Sequence, residues 1–91
     1  MYKVINGKGT GKTKALLTRA YDEEAIVLCK DVQKMQDKAI RYHLFDMDIR
    51  GYHDLTAADA DKKIYVHDLE AFAKSFFGET LQGYSFTLEA E

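Results

Sequence analysis

Apolar residues along this chain fall alternately into short runs and helical periods. Tyr2-Lys3-Val4-Ile5 opens the chain and predicts a strand over residues 2–6. Behind a glycine-rich turn, Leu16, Leu17, Ala20 and Tyr21 recur at helical spacing and predict a helix over 12–22. Ala25-Ile26-Val27-Leu28-Cys29 is a continuous apolar run, the pattern of a strand buried on both faces of a parallel sheet. Asp31 is a good N-cap for a second helix over 32–45, with an inner face of Val32, Met35, Ala39, either His43 or Ile40, and Leu44. A short third strand is expected over 49–53, a turn or single helical turn over 56–61, and a further strand over 63–67. Leu69, Phe72, Ala73, Phe76 and Phe77 follow the 3.6 period of a third helix over 69–77, which Gly78 stops. Tyr84, Phe86 and Leu88 alternate with Ser85 and Thr87, predicting a last strand over 84–88 at a sheet edge.

Strands that alternate with helices imply an α/β architecture with a mainly parallel sheet. Crossover handedness puts helices on both faces, giving a small three-layer sandwich. The length of 91 residues sets one domain spanning 1–91. Its core is small, so a ligand or partner is expected to add to stability.

Composition narrows the partners. The net charge of -2, with acids and bases interleaved, argues against a large nucleic-acid footprint. Lys3, Lys8, Lys12, Lys14 and Arg19 do gather near the glycine-rich turn. That cluster reads better as phosphate-site electrostatics plus a solvated helix face than as a nucleic-acid patch. Cys29 is the one cysteine, so no disulfide framework or paired-cysteine metal site can form. No secretory leader is apparent, and no apolar run approaches the ~20 residues that span a bilayer. The expectation is a cytoplasmic protein without a membrane partner.

The turn after the first strand carries the chemistry. Residues 6–13 read Asn6-Gly7-Lys8-Gly9-Thr10-Gly11-Lys12-Thr13, and Gly11-Lys12-Thr13 is the centre of a phosphate-binding P-loop. Such a loop wraps an anion with its backbone N–H groups, and side chains would block that approach. In this reading Lys12 reaches the β- and γ-phosphates and the Thr13 hydroxyl ligates Mg²⁺. A helix starting near Lys12 adds the positive end of its dipole. The motif's usual first glycine is Asn6 here, a residue that tolerates positive φ. The bland alternative, a surface loop that binds nothing, does not explain why the loop lies between a strand pattern and a helix pattern.

A P-loop enzyme also needs acids beyond another strand, and Ile64-Tyr65-Val66-His67-Asp68-Leu69-Glu70 supplies candidates. Two registers are open. In one, Asp68 is the metal-side carboxylate and Glu70 the base. In the other, His67 takes the metal side and Asp68 replaces the catalytic glutamate. A third reading, compatible with either, makes Asp68 the cap of the third helix with Glu70 in its first turn. His53 and His67, at strand ends, read first as hydrogen-bonded structural residues. The aromatic group Phe72, Phe76, Phe77, Tyr84 and Phe86 reads as core, part of it available for association.

On these residues the chain resembles a P-loop NTPase of the additional-strand type, a group that includes helicases and other ATPases. More narrowly, it is similar to short P-loop ATP-binding proteins encoded in phages and prophages. The segments that carry the likeness are Lys8 to Thr13, Tyr52-His53-Asp54, and Tyr65 to Glu70. The resemblance implies a minimal P-loop core that binds ATP, or alternatively GTP, with Mg²⁺ through residues 6–13. It also implies weak phosphohydrolase activity served by Asp68 and Glu70, with Thr13 and Asp68 on the metal. Where those relatives end the strand Asp-Glu, this chain, aligned on Leu69-Glu70, has His67-Asp68. The alternative is a non-hydrolysing module of phage origin that a nucleotide or phosphate stabilises and that docks on a larger phage or host protein; a less favoured third reading is a nucleic-acid accessory protein that sets the lysine-rich loop on a DNA or RNA backbone. No arginine follows Arg50. An arginine finger would therefore come from Arg19, Arg41 or Arg50 of a neighbouring subunit in a homo-oligomer, or from a partner protein, and an isolated monomer is expected to hydrolyse slowly or not at all.

Overall fold

The computed structural model describes residues 11–83 together with 85. The strand expected over 2–6, loop residues 6–10, and the strand expected over 84–88 (Ser85 apart) lie outside the described residues. Within them the chain forms α1 (Lys12–Asp22), β1 (Ile26–Cys29), α2 (Val32–Arg41), β2 (Asp48–Gly51), β3 (Ile64–Val66) and α3 (Leu69–Phe77). Short 3₁₀ turns cover Ala57–Asp59 and Gly78–Thr80.

The described strands make one three-stranded sheet in the order β2-β1-β3, with both pairings parallel. Ile26 stands opposite Asp48 of β2 and Ile64 of β3. β1 is central because all four of its side chains are apolar and all four are buried. Alternation then divides them between two faces. Val27 and Cys29 pack with Leu17 and Ala20 of α1, Met35 and Ala39 of α2, and Ile49. Ile26 and Leu28 pack with Tyr52, Ile64, Val66, and with Ala71 and Phe72 of α3. Helices therefore cover both faces, and the fold is a small α/β domain layered helix, sheet, helix.

The second helix is shorter than its periodicity suggests. It ends at Arg41, with Tyr42 as cap and His43 at φ 61. The His43 N–H donates to Ile40 O at 3.0 Å and the Leu44 N–H to Ala39 O at 2.9 Å. This is a Schellman closure, which satisfies end carbonyls and turns the next apolar residue back onto the helix. Leu44 thus reaches the core from outside the helix, while Ile40 and His43 are exposed. α1 ends the same way: Glu24 has φ 53, its N–H donates to Tyr21 O, and Ala25 N–H donates to Ala20 O. Ala25 is buried by that turn, and Tyr21 is left exposed.

α3 spans its expected residues and stops at Gly78, whose φ 61 and ψ -144 suit glycine alone. Its burial is narrower than its apolar stripe. Phe72 and Ala73 are half-buried, whereas Leu69, Phe76 and Phe77 are exposed. The described sheet is only three strands wide and gives the helix little surface to cover. No described helix is long and apolar enough to cross a membrane.

Candidate functional site

α1 begins directly behind Gly11, which holds the left-handed conformation at φ 75 and ψ 19. A β-carbon at Gly11 would meet no atom within 4 Å, so the conformation rather than crowding calls for glycine. Among the described residues no side chain caps this end, and no acid lies in its first turn. The leading N–H groups of a helix have no intrahelical acceptor, and the helix dipole adds positive potential there. An uncapped start after a left-handed glycine is suited to an anion.

The carboxyl end of β3 faces this helix start. The ladder continues one residue past β3, with the His67 N–H donating to Leu28 O at 2.9 Å. The chain then turns sharply through Asp68, which has φ 62 and ψ 81. Tyr52, buried at the end of β2, holds that turn. Its hydroxyl reaches His67 O at 2.7 Å and Asp68 O at 3.3 Å. Burial first, then the charges of Asp68 and Cys29, push the Tyr52 phenol up to about 12, so it remains a donor at neutral pH.

The turn aims the His67 ring at α1. His67 Nε2 lies 3.4 Å from Thr13 Oγ1. Burial lowers the pKa of the imidazole, Asp68 opposes that shift, and the positive fields of Lys38 and Lys12 reinforce it. Desolvation and two lysines on two helices thus disfavour the charged imidazolium.

Among the expected site residues, Gly11, Lys12 and Thr13 form the helix start and Thr13 meets His67. The two acids are engaged elsewhere. Asp68 Oδ1 accepts from the Ala71 N–H at 3.1 Å and caps α3. Glu70 lies exposed in the first turn of α3 and pairs with Lys74 at 3.8 Å. Asn6, Gly7, Lys8, Gly9 and Thr10 lie outside the described residues.

Mg²⁺ prefers hard oxygen ligands and is usually held through one or two carboxylates plus phosphate oxygens. The described residues fit half of that requirement. Thr13 offers a hydroxyl, but an imidazole stands beside it where a carboxylate is needed. Among the described residues, no group of three or more His, Cys, Asp or Glu side chains is arranged to hold a metal.

The arginines differ in how they are engaged. Arg50 binds Asp48 through two hydrogen bonds, at 2.8 and 2.9 Å, and Asp59 at 2.6 Å. Asp59, a buried acid, also accepts from Thr56 N–H and Oγ1 and pairs with Lys62 at 3.1 Å. These partners hold its carboxyl well below the usual carboxylate range. Serving as a finger would require Arg50 to leave both acids. Arg19 approaches Glu23 at 3.9 Å, and Arg41 is exposed in the last turn of α2. His53 is structural in the way its strand-end position suggested, with Nε2 on Ser75 O at 3.2 Å and its ring 4.3 Å from that of Phe76.

Sequence reasoning missed Tyr52 as the clamp of the His67–Asp68 turn and missed the Arg50–Asp59 network. The first had a signal, because Tyr52-His53-Asp54 stood out as a motif. The second had none, since its partners are nine residues apart across a turn. Comparison with protein-family models, curated proteins and solved structures gives no match.

Proposed function

We propose that the chain is a nucleotide-binding domain that takes ATP, or alternatively GTP, through residues 6–13. One observation carries this reading. The segment Asn6 to Thr13 runs into a helix that starts uncapped behind a left-handed glycine, with Thr13 against the carboxyl end of a parallel strand. Open parallel sheets bind ligands outside the carboxyl ends of their strands. Lys12 would contact the outer phosphates, and Thr13 would contact a phosphate oxygen or the Mg²⁺ that accompanies the nucleotide. Isothermal calorimetry of ATP and GTP with the wild type and Lys12→Ala tests it. Binding lost in Lys12→Ala is the expected result; equal affinity in both, or none in either, contradicts it.

A second reading concerns turnover. The cap made by Asp68 and the Glu70–Lys74 pair favour a module that binds without hydrolysing. Such a module would use the bound nucleotide for stability while it docks on a partner protein. Phosphate release measured at several protein concentrations separates the two. Turnover that rises with concentration and disappears in Asp68→Ala supports the hydrolase; no turnover at any concentration supports the module.

A further inference from the structure

His67 stands beside Thr13, the hydroxyl that a magnesium-dependent phosphate site would pair with a carboxylate. Its Nε2 is 3.4 Å from Thr13 Oγ1. The turn that aims it is fixed from two sides. Tyr52 donates to the carbonyls of His67 and Asp68, and the His67 N–H is tied to Leu28 of the central strand. The Asp68 carboxylate is engaged elsewhere, accepting from the Ala71 N–H as the cap of α3.

The charge balance around the ring points the same way. Lys12 and Lys38 both act on His67, against the single acid Asp68. The uncapped start of α1 adds positive potential. In a carboxylate-bearing site, Mg²⁺ bridges two sets of negative groups, the acid and the phosphates. With an imidazole beside Thr13 and Lys12 at the helix start, the corner already complements a polyphosphate and, among the described residues, offers a cation little beyond what the phosphates give it.

We infer that His67 makes nucleotide binding at this site largely independent of Mg²⁺, with Lys12 and the helix start doing the neutralisation usually shared with the metal. This rests on the nucleotide-binding reading above and adds a specific role for one residue. The bound form is then the free polyphosphate as readily as its magnesium complex. The ring is a positioning group, holding the Thr13 hydroxyl at the helix start.

The test is ATP titrated by calorimetry into the full chain, once with excess Mg²⁺ and once with EDTA at matched ionic strength. For the wild type, the two dissociation constants are expected within about threefold of each other, because among the described residues no carboxylate stands beside Thr13 to reward the metal. In His67→Asp, affinity with Mg²⁺ is expected at least about tenfold above that in EDTA, as an acid beside Thr13 gives the metal a second anchor. His67→Asn, neutral and similar in size, is expected to keep the wild-type indifference and separates charge from loss of the ring.

The outcomes are distinguishable. Wild-type binding that vanishes in Lys12→Ala but weakens tenfold or more in EDTA overturns this inference and leaves the nucleotide-binding reading standing. A His67→Asp variant that folds, by circular dichroism, yet ignores Mg²⁺ overturns the role given to His67. Absence of wild-type binding in both buffers overturns the inference together with the reading on which it rests.

Discussion

At the scale of single residues, the site depends on a few side chains that hold a strained turn. Asp68 adopts φ 62, uncommon outside glycine, and such strain persists only where surrounding contacts enforce it. Tyr52 is the main contact. Removing its hydroxyl in Tyr52→Phe removes the one O–H that His67 O at 2.7 Å and Asp68 O at 3.3 Å share, and should lower stability by about 1 kcal/mol in urea denaturation. The same variant should weaken ATP binding, because His67 and Thr13 lose their alignment; unchanged affinity would show that the clamp does not serve the site. Asp59 makes a pH prediction. Its folded pKa lies below its unfolded value, so the unfolded chain binds more protons between the two. Stability from Asp59 is present above the ordinary carboxylate range and is lost as pH falls through the folded value. Acid unfolding monitored by circular dichroism should therefore have a shallower acid limb in Asp59→Asn than in the wild type.

Among the elements, helix ends explain both what the sequence disclosed and what it concealed. The bounds of α1 and α3 follow from the apolar periods behind Gly11 and before Gly78. α2 misleads because its stop signal is a residue with no glycine in it. Periodicity runs on through Leu44, but the chain leaves the helix at Tyr42 and returns Leu44 to the core by a Schellman turn at His43. Glu24 does the same for α1. Both side chains occupy a conformation that favours glycine, and relief of that strain offsets the added flexibility of an unfolded glycine. His43→Gly is expected to raise stability by about 0.5–1 kcal/mol in urea denaturation, and a loss would contradict the closure described. Asp31 caps α2 by accepting from the Lys34 N–H at 3.1 Å, so Asp31→Ala should cost about 1 kcal/mol in the same measurement. Register choices were hidden for a different reason. Whether His67 or Asp68 faces Thr13 turns on one left-handed residue and a tyrosine hydroxyl from another strand, and neither leaves a periodic trace in the sequence.

For the molecule as a whole, the apolar pattern made the architecture legible. A four-residue strand with every side chain buried demands helices on both sides, and the described chain has them. Less legible was how far the three described strands can cover α3, which leaves Leu69, Phe76 and Phe77 exposed. A domain this small has limited burial to draw on, so a ligand that binds only the folded state should shift its unfolding strongly. Saturation at one hundred times the dissociation constant corresponds to about 2.7 kcal/mol. The central claim is that a nucleotide polyphosphate sits at the start of α1, against the end of β3. Amide chemical shifts recorded during an ATP titration test that location directly. The expected result is saturable shifts concentrated at Gly11, Lys12, Thr13 and His67, abolished in Lys12→Ala. Shifts confined to other surfaces, or none at saturating ATP, would contradict the account.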